Sequence, residues 1–333
     1  MTKSYIRPIA QTDKCRPADA FPLAGGPEWF THVEILHRDT APKLAHAREI
    51  SNKQRDALTE PRPHVLGLDL NTPRIMGILN VTPDSFSDGG LHNDHPNAIS
   101  RAEKMVAEGA DILDIGGEST RPGADFVEIE EEIARTAPII KALNHLSVPI
   151  SIDTRKSKVA EAAFSAGATL FNDVTALSFD ENSLEIAASS NATVCLMHAS
   201  GDPKTMQKNP SYDNVLLDVY DYLEARRDIA IAAGIRPERI ILDPGIGFGK
   251  SVAHNIELLK GLSLFHGLGC PILLGASRKR FIGSLTDTDT ASNRMPGSIA
   301  VALYAVRQGV QIIRAHDVAE TKQALTLWHH LDN

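Results

Sequence analysis

The sequence predicts an α/β chain folded as a (β/α)8 TIM barrel behind an N-terminal extension, and three observations carry that prediction. Eight short apolar runs recur from residue 75 onward, segments of helical periodicity separate them, and each run ends in polar or charged residues. The runs are 75–80 (IMGILN), 111–117 (DILDIGG), 149–154 (PISIDT), 170–174 (LFNDV), 193–198 (TVCLMH), 240–245 (IILDPG), 271–277 (PILLGAS) and 311–317 (QIIRAHD). Most are near-continuous in apolar residues, as parallel strands buried on both faces must be. Eight units in about 257 residues match the usual length of such a barrel. An open doubly wound sheet is the alternative, but it rarely needs eight units so evenly spaced.

Helical segments are predicted at 128–146, with a kink at Pro138, at 215–234, ending on a glycine suited to the C′ position, and at 318–331. The apolar stretch 295–308 (Ala300, Val301, Leu303, Val306) packs either on the barrel or on a second copy of the chain. Residues 1–63 break the pattern, being rich in proline and mixed charge, and are read as an extension partly ordered at best, with no role legible. Residues 64–333 form the barrel domain. Strands are expected at 29–36 and 64–70, the second folding with Asn71, Thr72 and Pro73 into a hairpin across the barrel's bottom.

Composition narrows the function. The chain has 333 residues, 42% hydrophobic and 23% charged, which excludes general disorder. No run approaches the roughly 18 apolar residues of a membrane span, and the N-terminus has no apolar core of a secretory signal. Three widely spaced cysteines (Cys15, Cys195, Cys270) without metal spacing point to a reducing compartment, the cytoplasm. A net charge of −8 argues against nucleic-acid partners, so any anionic substrate needs a local cationic cluster.

The strand ends supply that cluster and more. They carry Asn80, the turn 116–121, Asp153, Asn172 with Asp173, Met197 with His198, Asp243, Ser277 with Arg278 and Lys279, and Arg314 with His316. In barrels of this kind the active site lies at the C-terminal ends of the strands. Asp153, Asn172 and Asp243 offer acceptors to a flat, donor-rich heterocycle. Arg314, His316 and the loop around Asn80 suit a polyphosphate, and the Asn80 side-chain oxygen is a candidate Mg²⁺ ligand.

Several features carry less. Residues 244–251 (PGIGFGKS) miss the phosphate-loop pattern at Pro244, so their glycines are read as shaping a loop, with Phe248 as an apolar wall. Lys279 between Arg278 and Arg280 has the context of a Schiff-base lysine, without other support for that chemistry. Cys195 and Cys270 read as buried small hydrophobes, His198 as a strand-end residue, and Asp173 as either site support or a helix cap.

Taken together, 78–90 (ILNVTPDSFSDGG), 111–123 (DILDIGGESTRPG), 150–156 (ISIDTRK), 171–174 (FNDV), 242–250 (LDPGIGFGK), 277–280 (SRKR) and 314–318 (RAHDV) closely resemble the dihydropteroate synthase family, the folate-pathway transferases that sulfonamides inhibit. The likeness covers about residues 64–331. It implies condensation of (7,8-dihydropterin-6-yl)methyl diphosphate with 4-aminobenzoate to 7,8-dihydropteroate, with Mg²⁺ as cofactor and a homodimer as the assembly.

The resemblance also implies residue roles. Asp153, Asn172, Met197, Asp243 and Lys279 correspond to pterin-binding residues, and Asn80 to the metal ligand. Asp84, Ser85, Arg314 and His316 correspond to the diphosphate site. Phe86, Thr120, Arg121, Pro122, Phe248 and Ser277 correspond to the aminobenzoate site, while Asp153, Asp243, Lys279 and Arg314 are the expected catalytic set. Two rivals remain at this point, a pterin-dependent methyltransferase and a catalytically silent pterin-binding barrel. The SFSDGG and STRPG loops disfavour the first, and the presence of Asn80, Asp153, Lys279 and Arg314 the second.

Overall fold

A computed structural model describes residues 3–82, 94–119, 125–201 and 210–332. The eight predicted runs become eight parallel strands: β6 (Arg74–Asn80), β7 (Ile112–Gly116), β8 (Ile150–Asp153), β9 (Leu170–Asp173), β10 (Thr193–Met197), β11 (Ile240–Asp243), β12 (Leu273–Leu274) and β13 (Ile312–Ala315). They pair in the order β11-β10-β9-β8-β7-β6-β13-β12. A parallel bridge between Leu242 and Ile272 joins the two outer strands and closes the barrel. Around it run α2 (Asp94–Ala107), α3 (Ile129–Leu143), α4 (Ser157–Ala166), α5 (Ser183–Ser189), α6 (Val215–Ala232), α7 (Val252–Lys260), α8 (Arg280–Thr286), α9 (Met295–Val306) and α10 (Val318–Asp332).

Side chains alternate strictly along each strand. The outward set, including Ile75, Leu113, Ile115, Ile152, Phe171, Leu196, Leu242 and Ile313, joins the helices in one large apolar core. The inward set forms a second, separate layer at the bottom: Met76, Ile112, Leu170, Cys195, Ile241, Leu273 and Ile312, capped by Val65. That capping residue lies where a strand over 64–70 was expected; the stretch instead folds into a tight turn bridging Val65 to Leu68, so the reversal comes at residues 66–67 and not at Asn71–Pro73. Leu66 (φ 57°) and Gly67 (φ 78°) are both left-handed, as a type I′ turn requires.

The extension is more ordered than its composition implies. β1 (Tyr5–Pro8), β4 (His32–Leu36) and β5 (Lys43–His46) form an antiparallel sheet, and β2 (Phe21–Pro22) pairs with β3 (Trp29–Phe30). α1 (Asn52–Thr59) starts at a capping box between Ser51 and Gln54. Ile6, Leu23, Phe30, Val33, Ala45, Ile50 and Leu58 give this unit a core of its own.

It docks beside α6 and the 3₁₀ segment Leu262–Leu268, which leads into β12. Tyr5 packs edge-on against Tyr220 with ring centroids 5.4 Å apart. Ser263 Oγ donates to the Pro8 carbonyl at 2.8 Å, and buried Arg62 donates to the His266 carbonyl at 2.8 Å.

Candidate active site

The inward register that fills the bottom with apolar side chains carries the site one and two layers higher. On β7, Ile112 faces in, so Asp114 and Gly116 do too; on β9 it is Leu170 and then Asn172. Cys195 leads to Met197, Ile241 to Asp243 and Ile312 to Arg314 by the same step. Across the mouth, Asn80 pairs with Gly116, Gly116 with Asp153, and Asp153 with Asn172. Strand register alone therefore brings the predicted residues of five separate motifs into one ring.

At its floor lies a buried charge cluster. Arg314 Nε donates to Asp114 Oδ2 at 2.6 Å, and Arg314 Nη2 reaches Asp114 Oδ2 at 2.5 Å and Asp153 Oδ2 at 2.6 Å. The Asn172 amide donates to both Asp114 oxygens at 3.3 and 3.2 Å. Asp153 Oδ1, also buried, has no hydrogen-bond partner among the described residues. An orphaned buried carboxylate oxygen is an acceptor held ready for a donor.

Burial pushes the Asp153 carboxyl up to about 7, with Arg314 pulling it down and Asp114 pushing it further up. Asp243 rises to about 6 for the same first reason, against the Gly245 N–H donated to its Oδ1 at 2.7 Å. Both groups ionise near neutrality, where a small change of surroundings alters their charge.

The other side of the mouth is built by the glycine loop after β11. Gly245 takes φ 70°, and a Cβ there would stand 1.9 Å from the His198 carbonyl, so only glycine fits. The loop sets the Phe248 ring 3.9 Å from Lys279 Nζ. Ser277 Oγ accepts from the His316 N–H at 3.2 Å and lies 3.0 Å from His316 Nδ1. Arg278 turns away to pair with Asp317, and Arg280 is exposed on α8, so neither is gathered around the Lys279 ammonium.

Asp84, Ser85, Phe86, Thr120, Arg121 and Pro122 lie outside the described residues. Asp173 faces outward and is a turn former: it accepts from the Thr175 N–H and hydroxyl, both at 2.7 Å, and from the Leu177 N–H at 2.9 Å. Burial raises it to about 6.

Sequence reasoning missed three groups. Asp114 was hidden in an apolar run, although a lone acid at inward parity was the signal. Lys156 is almost wholly buried and ion-paired at 2.6 Å to both Glu118 and Glu132, while donating to the Val127 carbonyl at 2.5 Å. One ammonium thus ties the end of β7 to the start of α3, three residues from Asp153. Lys250, in the loop dismissed as a phosphate-binding motif, is buried against His198.

A (β/α)8 barrel that gathers buried carboxylates, an amide and a guanidinium at the C-terminal ends of its strands defines a site for a polar small molecule. The pterin-binding enzyme family profile matches residues 76–316. The dihydropteroate synthase of Neisseria meningitidis serogroup B is 50% identical over 270 residues, covering 79% of this chain and 94% of that one. Its Escherichia coli (strain K12) counterpart is 48% identical over 259 residues, covering 78% and 91%. Among solved structures, Xanthomonas albilineans dihydropteroate synthase with 4-aminobenzoic acid superposes with a TM-score of 0.75 at 46% identity, covering 79% of this chain and 94% of that one. The Yersinia pestis enzyme with a sulfonamide drug gives 0.76 at 46%, covering 79% and 96%. The chain belongs to the dihydropteroate synthase family, and it is a transferase with that family's activity on small-molecule substrates.

Proposed function

We propose that the ring at the mouth joins (7,8-dihydropterin-6-yl)methyl diphosphate to 4-aminobenzoate, forming 7,8-dihydropteroate and releasing diphosphate. The observation that carries this reading is the buried floor of Asp114, Asp153 and Asn172 around Arg314, with one Asp153 oxygen left without a partner among the described residues. A pterin ring presents N–H donors along one edge. Asp153, Asn172 and Asp243 accept and donate along it, with Met197 and Lys279 on either side.

Breaking the carbon–oxygen bond to diphosphate leaves an exocyclic methylene bearing positive charge conjugated with the ring. In their ionised forms Asp153 and Asp243 place negative charge where that positive charge grows, the sign-reversed form of an oxyanion hole. The aminobenzoate amine then attacks a carbon already electrophilic, and the ammonium formed passes its proton to water or the released diphosphate, so no strong base is needed. Phe248 and Ser277, with Phe86, Thr120, Arg121 and Pro122, are the proposed walls of the aminobenzoate pocket. Arg314 binds Asp114 and Asp153 through Nε and Nη2. With His316, and with Asp84 and Ser85, it is the proposed grip on the leaving diphosphate.

The donor set suits Mg²⁺ shared with the substrate. Asn80 offers one amide oxygen beside Gly116, and no group of three or more His, Cys, Asp or Glu among the described residues could hold a metal without the substrate. When bound, the ion neutralises charge developing on the leaving group. The test is incubation of both substrates with the protein, with and without Mg²⁺, followed by chromatography for dihydropteroate. Formation in the presence of metal is expected, and none with metal present overturns the reading.

A second copy of the chain is the proposed partner, paired through α9 and α10. Tyr304, Leu327 and Leu331 are 44%, 59% and 74% exposed there, more apolar surface than water favours. Sedimentation should give a dimer that Leu327→Glu weakens. No helix among the described residues is long and apolar enough to cross a membrane; the three free cysteines are consistent with the proposed cytoplasmic setting.

A further inference from the structure

We infer that Lys250, outside the proposed substrate contacts, is a positioning residue that fixes the glycine loop and, through it, the Phe248 wall of the aminobenzoate pocket. The residue is 3% exposed, and its amine is surrounded by acceptors: His198 Nδ1 at 2.8 Å, the Gly245 carbonyl at 2.9 Å, the Phe248 carbonyl at 3.0 Å and the His198 carbonyl at 3.2 Å. Two of these carbonyls belong to the loop itself, and two acceptors to the end of β10. The loop can present them because Gly245, Gly247 and Gly249 are all left-handed, at φ 70°, 84° and 63°. Such a backbone turns the Gly245 and Phe248 carbonyls inward, where a group with several N–H donors satisfies them.

His198 completes the arrangement. Burial and the neighbouring Lys250 hold its imidazole far toward the neutral form, at about 2, so Nδ1 is free to accept. The Phe248 carbonyl that Lys250 binds belongs to the same residue whose ring lies under Lys279. At the other end of the loop, the Gly245 carbonyl is bound by Lys250 while the Gly245 N–H orients Asp243. A Cβ at Gly247 would stand 3.1 Å from Lys279 Cδ, so a displaced loop also displaces that lysine.

This assignment rests on the proposed aminobenzoate pocket, and its test separates the two. The purified full chain is assayed for dihydropteroate, with KM for each substrate and kcat measured for wild type, Lys250→Met, Phe248→Ala and the double variant. Lys250→Met should raise KM for aminobenzoate about tenfold, with smaller changes in kcat and in KM for the pterin diphosphate, and its effect should largely vanish on the Phe248→Ala background. Should the methionine variant not fold by circular dichroism, Lys250→Gln, which keeps two donors, carries the same cycle.

A variant that loses thermal stability but keeps wild-type KM, or whose effect adds in full to that of Phe248→Ala, overturns the inference. A wild-type protein that makes no dihydropteroate overturns the underlying reading instead.

Discussion

At the bottom of the barrel Met76, Ile112, Leu170, Cys195, Ile241, Leu273 and Ile312 close on one another and on Val65. Two residues further along several of the same strands, the inward positions carry Asp114, Asn172, Asp243 and Arg314. Backbone geometry and parity are the same at both levels; only the chemistry changes. The bottom is stabilised by apolar contact and gains nothing from charge, whereas the top buries carboxylates whose desolvation is offset only in part by Arg314. The lower layer is where stability resides, and the upper layer holds groups in costly states that a substrate relieves.

The sharpest way to break this division is to alter each layer on its own. Asp153→Asn removes one fixed anion while keeping shape, and kcat should fall about 10²–10³-fold with the circular dichroism spectrum unchanged. Near-normal turnover would end the electrostatic role. Ile112→Ala, on the strand that carries Asp114, should do the reverse. It should cost about 2–5 kcal/mol in denaturant unfolding, with kcat of the folded enzyme within about twofold of wild type.

Protonation offers a subtler comparison. The carboxyls of Asp153, Asp173 and Asp243 are raised by burial to about 7, 6 and 6. Between about pH 4, where an unfolded aspartate ionises, and those values, the folded chain holds protons that the unfolded chain has lost. Their stabilising contribution is complete below about pH 4 and is lost as pH rises to 6–7, by up to about 1.4 kcal/mol per pH unit for each group. Asp180 and Asp221, lowered by their hydrogen bonds despite some desolvation, contribute in the opposite sense, losing stability as pH falls through their folded values. Unfolding measured from pH 4 to 7 should therefore show a smaller downward slope in Asp173→Asn than in wild type, and an unaltered one in Ile112→Ala.

The same contrast explains what could be read from the sequence. Apolar strands and inward parity leave a periodic trace, so all eight strands stood within a few residues of their observed bounds, and Asn80, Asp153, Asn172 and Asp243 stood out as polar residues ending apolar runs. Asp114 did not, because it sits inside such a run. Arg314 was therefore read as an anion binder without its two aspartate partners. Lys250 and Lys156 were missed because a buried lysine is defined by what surrounds it, and those acceptors come from distant segments. The extension was underestimated for a related reason. Its strands are two to five residues long, too short for periodicity, and its core joins Ile6, Leu23, Phe30 and Leu58 from across the segment.

The extension repeats the division on a smaller scale, and the smallest effect is expected there. Its outer clasp is ionic: Lys3 reaches Asp221 and Glu224, both at 2.5 Å, and Arg38 reaches Asp218 and Asp221, both at 2.6 Å. Its inner clasp is Arg62, 7% exposed and bonded to the Ala57 and His266 carbonyls at 2.9 and 2.8 Å. Lys3 has a side chain 41% exposed, so water already screens its pairs, and Lys3→Ala should cost less than about 1 kcal/mol. That loss should shrink further in molar salt, where the Debye length falls to about 3 Å. Arg62→Ala strands buried carbonyls and should cost about 1–3 kcal/mol, indifferent to salt. Equal losses in the two variants, or a salt-sensitive loss at Arg62, would mean that the extension is held by surface charge, and the contrast between its clasps would fail.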